Sequence, residues 1–403
     1  MKTKNSILFR GILTVSLSLC CGLVCAQTEQ WVGTWASAAE YTGKGDMPAA
    51  PLTNRTLREV IQVSVGGDRI RLRLSNEFSD EPVEIRGLYV ADALDSCDIR
   101  KGTARFLTFN GRKSVTIPAR QAIVSDVCRY SLQPLQRLAV TIQYGATPEH
   151  ATSHRGSRTT SFLAPGSVKP GARFVANERV DHWYNIAAIE VATPAADQPT
   201  AAKPPVIAVI GNSITDGRGS TTNAQNRWTD IMAESLQGTA GVLNLGIGGN
   251  CVIRGGLSQP ASERFDRDIL QQEGVTHVIV FEGVNDIGWS PSAEHTAQEL
   301  IAAYETFIDK AHARGLTIYG ATITPFGGNS YWTHFHEAAR AVVNEWIRTS
   351  RRFDGVIDFD SLMRDDRQPQ RLRQQWQEDW LHPNAAGYKA MGEYAGRWFQ
   401  EQR

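Results

Sequence analysis

The sequence predicts a two-part fold: an all-β sandwich, followed by a three-layer α/β/α domain built on a parallel sheet. Two changes of pattern along its 403 residues carry this expectation. Up to about Ala192 apolar residues recur with period two. Beyond Pro205, short apolar runs alternate with stretches of helical period. The intervening segment, Thr193-Pro-Ala-Ala-Asp-Gln-Pro-Thr-Ala-Ala-Lys-Pro-Pro205, is rich in Pro and Ala, lacks apolar periodicity, and reads as a linker.

The first 26 residues stand apart from both units. Lys2, Lys4 and Arg10 precede an apolar stretch from Gly11 to Leu23, and Val24-Cys25-Ala26 closes it on the small residue a signal peptidase prefers. Residues 1–26 are therefore expected to be a removed secretory signal, which places the mature chain outside the cytoplasm, secreted or periplasmic. A lipoprotein reading is the weaker one, because Leu19, Cys20 and Val24 precede the three cysteines instead of Gly, Ala or Ser. No later segment approaches the roughly 20 apolar residues of a membrane span, so no stable membrane insertion is expected. Without the signal the chain carries a net charge of about −3, which offers nothing to a nucleic-acid backbone.

Within residues 27–192, Val60-Ile-Gln-Val-Ser-Val65, Gly66-Gly67-Asp68 and Arg69-Ile-Arg-Leu-Arg-Leu74 read as strand, turn and strand of a hairpin. Further strands are expected at 83–90, 114–117 and 138–144, with Gly and Pro between them, giving a jelly-roll-like sandwich. In residues 206–403, strands are expected at 206–210, 242–245, 276–281, 316–323 and 355–358. Amphipathic helices are expected near 226–238, 293–314, 333–351 and 384–400. Three cysteines remain after the signal. Cys97 and Cys128 read equally as a disulfide of an exported protein or as two small buried thiols, and Cys251 reads as a structural thiol.

Four segments of the second unit carry chemistry: Gly211-Asn-Ser213-Ile-Thr-Asp216-Gly217, Gly246-Ile-Gly248-Gly249-Asn250, Gly283-Val-Asn285-Asp286 and Asp379-Trp-Leu-His382. Ser213 follows the apolar run Val206–Ile210, so its hydroxyl falls in the turn at the carboxyl end of a buried parallel strand, where open α/β sheets build sites. A serine hydroxyl needs a base at neutral pH, and the base needs a group that holds its tautomer. Asp379 and His382, three residues apart in a turn before Pro383, supply both. Negative charge on a tetrahedral intermediate needs donors worth about 3 kcal/mol each. The Ser213 and Gly248 backbone N–H groups and the Asn285 amide are the candidates. Taken singly, each residue also fits an ordinary turn or cap. Their joint placement at strand ends and a helix start is what points to acyl transfer.

These segments resemble the four sequence blocks of the SGNH, or GDSL-type, hydrolase family, over about half the chain from Val206 onward. The N-terminal unit resembles the β domain of one branch of that family through Trp31-Val-Gly-Thr-Trp35-Ala and Val65-Gly-Gly-Asp-Arg69. The resemblance implies a flavodoxin-like domain and a metal-independent, cofactor-free esterase in which Ser213 is the nucleophile, Gly248 and Asn285 are oxyanion donors, and Asp379 and His382 complete the triad. It favours short acyl groups, first of all O-acetyl groups, on a small molecule or polysaccharide. Rival readings are a lipase or lysophospholipase, and an inactive carbohydrate-binding protein. One departure is Asn212, where the family commonly has Asp. The segment is also not a Gly-x-Ser-x-Gly elbow, since Thr215 stands two residues after Ser213.

Outside the four segments, His334 and His336 lie on alternate positions of a predicted helix and share no face, so no metal site is read there. Trp289 and Tyr331-Trp332 follow strand ends and are candidates for a cleft lining. His150, His154 and Arg158 fall in a Gly-, Ser- and Thr-rich segment that either faces solvent or reaches across to the second unit.

Overall fold

The computed structural model describes residues 30–193 and 203–402. The signal peptide expected at 1–26 and most of the linker lie outside the described residues. Among those described, no helix is long and apolar enough to cross a membrane.

The N-terminal strands form two larger antiparallel sheets and one small one. The first sheet runs Gln30–Ala36, Ile186–Thr193, Gly67–Ser75, Ala122–Val124, with Cys128–Leu132 also paired to Gly67–Ser75. The second is centred on Arg55–Gln62, Arg137–Tyr144 and Val83–Asp92. Alternate residues of both, such as Leu57 and Ile61 against Ile70, Leu72 and Leu74, enter one apolar core. Gly67–Ser75 alternates because one of its faces is buried, whereas Arg55–Gln62 and Arg137–Tyr144 are buried on both faces. The expected hairpin at Gly66-Gly67-Asp68 is corrected: Arg55–Gln62 and Gly67–Ser75 pair in different sheets, so the chain crosses the sandwich there. A Cβ on Gly66 would lie 2.4 Å from the Leu132 carbonyl, so the crossing requires glycine. Cys97 and Cys128 are separate free thiols, Cys97 packed among Phe162, Ala164 and Phe174.

The C-terminal sheet is wholly parallel, in the order Gly241–Gly246, Val206–Gly211, His277–Phe281, Thr317–Ala321, Gly355–Ile357. Numbered by sequence this is 2-1-3-4-5, the flavodoxin-like winding, whose crevice opens beyond the carboxyl ends of the first and third strands. Val206–Ile210 is fully buried because helices cover both faces of the sheet. The four expected helices form as Trp228–Ser235, Ala293–Ala313, His334–Thr349 and Ala385–Glu401. The last is capped by Asn384, whose side chain accepts from Ala386 and Gly387, so Pro383 precedes the cap instead of opening the helix.

The two units share a continuous apolar core. The strand Gln30–Ala36 lies beside Gly241–Gly246, where Gly33 approaches so closely that a Cβ would meet Leu243 at 2.9 Å. Ser64 Oγ accepts from the Val242 N–H at 3.0 Å, and Arg71 reaches Glu273 at 2.8 Å.

Candidate active site

Ser213 begins a one-turn helix directly after Val206–Gly211. Asn212 caps it, its Oδ1 accepting from the Ile214 N–H at 3.0 Å. As a first-turn donor the Ser213 N–H has no acceptor within the helix and is available to a ligand. Ser213 Oγ lies 2.8 Å from His382 Nε2, and His382 Nδ1 lies 2.7 Å from Asp379 Oδ2. The other Asp379 oxygen accepts from the backbone N–H groups of Leu381 and His382 at 3.0 and 2.8 Å. A single turn therefore fixes the carboxylate and places the imidazole. With Nδ1–H donating to Asp379, Nε2 is left to accept the serine proton.

Gly248 and Asn285 line the same cleft, of about 360 Å³, as Ser213 and His382. Asn285 is the second residue of the helix Val284–Gly288, which follows the third strand. One of its two amide donors is committed to the Asn250 carbonyl at 2.7 Å, and its Oδ1 faces the Tyr331 hydroxyl at 3.3 Å. The carboxamide is thereby oriented with its second N–H unspent. Among the described residues the Gly248 N–H meets no protein acceptor. Four of the five residues expected from the sequence thus line one cleft, and Asp379 is joined to it through His382.

The structure adds what sequence reasoning missed. Arg264, fully buried, donates to the Gly211 and Leu245 carbonyls and to Asn250 Oδ1, tying two strand ends to the Gly248 loop. Asp286 accepts from the Val252 and Ile253 N–H groups, and burial pushes its carboxyl up to about 6. The N-terminal unit supplies part of the cleft wall. His154 Nε2 lies 2.8 Å from Asp216 Oδ1, and Arg158 donates to Asp216 Oδ2 at 3.0 Å. Burial alone would raise Asp216, but His154, Arg158 and Arg227 more than offset it and hold the carboxyl below its usual range. His150 instead bonds the Thr42 carbonyl, away from the cleft. Glu40, Arg155 and Arg218 also line the cleft, and no motif marked them. For Arg155 and Arg218 the only signal was nearness in sequence to His154 and Ser213, and Glu40 carried none.

Trp289 and Tyr331 border the cleft, whereas Trp332 packs against His334 outside it. His336 bonds the Tyr331 and Ser290 carbonyls, joining the two loops that carry these aromatics. Cys251 is buried, which pushes its thiol well up and leaves it inert.

Burial pulls the His382 pKa below 6.5; Asp379 opposes this, while Arg218 and Arg158 reinforce it. The neutral imidazole is the competent base, so the acid limb of kcat/KM for a neutral ester is expected below pH 6.5. A pH–rate profile measures this directly, and a limb at pH 7 or above would contradict the arrangement.

Asn212 has a structural reason to be Asn. Its Nδ2 donates to Glu282 Oε2 at 3.0 Å, and Glu282 is fully buried, its pKa raised by burial to about 8. The folded state keeps that proton up to about pH 8, whereas the unfolded chain releases it near 4.5. The native state binds the extra proton across this window, and stability falls as pH rises through it. Asn212→Asp would face one buried carboxyl with another. It is expected to cost about 2–4 kcal/mol at pH 8 and much less at pH 5, where the pair can share a proton. Urea unfolding at the two pH values checks this; equal losses at both would count against it.

Residues 209–390 match the model of the GDSL-like Lipase/Acylhydrolase family. The C-terminal domain of this chain belongs to that family of ester-cleaving proteins. No curated protein matches the chain. Among solved structures, similarity is found to a protein described as lipolytic and of the G-D-S-L family from Desulfitobacterium hafniense DCB-2, at 24% identity over 48% of this chain and 98% of that one, TM-score 0.39. It is found also to a carbohydrate acetylesterase, Est24, from Sinorhizobium meliloti, at 13% identity over 49% and 100% of the two chains, TM-score 0.40. An aryl esterase from M. smegmatis shows 14% identity over 49% and 99%, TM-score 0.40.

Proposed function

We propose that the protein is a serine esterase that cleaves short-chain carboxylic esters, O-acetyl groups on carbohydrate first among them, through an acyl-Ser213 intermediate. The observation that carries this reading is the hydrogen-bonded chain from Ser213 Oγ through His382 to Asp379 at the wall of an open cleft. Ser213 Oγ attacks the ester carbonyl carbon as His382 Nε2 takes its proton. The developing oxyanion is met by the Ser213 and Gly248 N–H groups and the free Asn285 amide N–H. Collapse breaks the ester C–O bond, His382 returns the proton to the leaving alkoxide, and water repeats the sequence to release the acid. His382⁺ is stabilised by Asp379 throughout.

The cleft favours small acyl groups because five charged side chains, Glu40, Asp46, Arg155, Arg158 and Arg218, stand in its wall between the apolar Leu257, Trp289 and Leu381. A long alkyl chain laid there would desolvate charges without replacing their hydrogen bonds. In a chain-length series of aryl esters, acetate and propionate are expected to exceed octanoate in kcat/KM by at least about tenfold, since each mismatched methylene costs about 1 kcal/mol or more. A rising series would favour the lipase reading. Covalent labelling by a fluorophosphonate that is absent in Ser213→Ala tests the nucleophile independently of substrate.

A further inference from the structure

Three arginines line the cleft, and they are not equally occupied. Arg155 is committed to Glu40, at 2.9 Å through Nε and 2.5 Å through NH2, and to the Leu257 carbonyl. Among the described residues the Arg158 guanidinium has a single partner, Asp216 Oδ2, and its Nε is buried with no acceptor. Its backbone sits in the left-handed region at φ 50°, a conformation that long side chains rarely adopt and that points to a constraint at a functional site. Arg218 has its backbone locked, the N–H to the Ser213 carbonyl at 2.9 Å and the carbonyl to the Tyr388 hydroxyl at 2.7 Å. Its guanidinium is exposed, and among the described residues no carboxylate lies within ion-pair distance of it.

The acids of the cleft meet two of these cations and leave Arg218 unanswered. Asp216 is already answered by both His154 and Arg158, and Glu40 by Arg155 with His154 3.5 Å away. Asp46, on the turn Lys44–Asp46 of the N-terminal unit, is the remaining carboxylate of the lining and has no cation partner among the described residues. Three carboxylates and three arginines thus line the cleft, and beside Ser213 the Arg218 guanidinium is the one left without an ion-pair partner among the described residues. This has a chemical cost, because the reaction must place a proton on His382, and Arg158 and Arg218 both act against an imidazolium there. A negative group bound against the two guanidinium ions would remove that opposition at the step that needs it. Guanidinium donors in a planar fork suit a carboxylate.

We propose that Arg158 and Arg218 form a carboxylate subsite beside Ser213, so that the substrate is an O-acylated acidic saccharide, with a uronic acid carboxylate next to the scissile ester. This rests on the esterase reading and deepens it. It also gives the N-terminal unit a part in specificity, since Arg158 belongs to that unit. A second explanation of the same cations, direct stabilisation of the oxyanion, predicts no dependence on acceptor charge.

The test uses a matched pair: an O-acetylated uronic acid oligosaccharide, and the same oligosaccharide with its carboxyls methyl-esterified. Acetate release is followed at low ionic strength, with p-nitrophenyl acetate as a substrate that has no acceptor charge. The free acid is expected to exceed its methyl ester in kcat/KM by at least tenfold, with the ratio falling as salt is added. Arg218→Gln is expected to bring the ratio at least tenfold closer to one, and Arg218→Lys to retain part of it. Arg218 is exposed, so both variants should fold, which a thermal melt verifies. A native ratio at or below one, or an Arg218→Gln loss equal on both saccharides, overturns the subsite. Hydrolysis of the aryl acetate but of neither saccharide overturns the subsite and leaves the esterase reading standing. No hydrolysis of any of the three overturns both.

Discussion

Ser213→Ala is expected to lower the turnover of an acetyl ester at least about a thousandfold, with the fold unchanged. Among the described residues the hydroxyl has one protein partner, His382 Nε2 at 2.8 Å, and Ser213 is 7% exposed. Removing it deletes a single hydrogen bond at the edge of a cleft, worth about 1 kcal/mol of stability. It also deletes the only oxygen placed to form the acyl bond. What survives is binding and the oxyanion donors. His382→Ala should cost a similar factor, and the double variant no more than either alone, because nucleophile and base act as one unit. Saturating kinetics on an aryl acetate with circular dichroism of each variant measures both effects. More than a tenth of the native turnover in Ser213→Ala would remove the esterase assignment.

Asn285→Ala is expected to lower kcat by about 10²- to 10³-fold, equivalent to roughly 3–4 kcal/mol of transition-state stabilisation, with a smaller change in KM. One amide N–H is held by the Asn250 carbonyl and the Oδ1 faces the Tyr331 hydroxyl, so the second N–H is aimed by contacts on two sides. Asn250 is in turn gripped by the buried Arg264. A donor fixed in advance costs no reorganisation when charge develops, which is why its loss falls on kcat. Asn285→Asp is the companion variant. It keeps the shape, replaces a donor with a negative acceptor, and should be at least as severe. A loss under tenfold in both variants would show that Asn285 serves packing alone.

The parallel sheet and its helices were legible because burial on two faces leaves continuous apolar runs, and one-sided helices leave a 3.6 period. The five site residues were legible because turn chemistry places them at strand ends, so local segments already define their positions. The hairpin at Gly66-Gly67-Asp68 was misread for a related reason. Alternating strands joined by two glycines look alike whether they pair with each other or cross between sheets, and only their partners, Arg137–Tyr144 and Ile186–Thr193, decide which. Arg264, Glu282 and Arg218 were invisible as site residues. A buried arginine and an exposed one have the same letter, and their roles come from carbonyls and carboxylates far away in sequence.

Asn212 shows the two levels together. In sequence it is a departure from the family pattern; in the fold it is the partner that lets a buried glutamate exist behind the nucleophile. The sequence by itself determined the class of chemistry, because that depends on which residue types stand at the carboxyl ends of strands, a local property of the chain. Only the tertiary structure decided that the N-terminal unit walls the cleft through Arg155 and Arg158, with His154 buried behind Asp216, and that Arg218 there has no acid partner among the described residues. Charge balance in a cleft is a sum over groups brought together by folding, and no stretch of chain carries that sum.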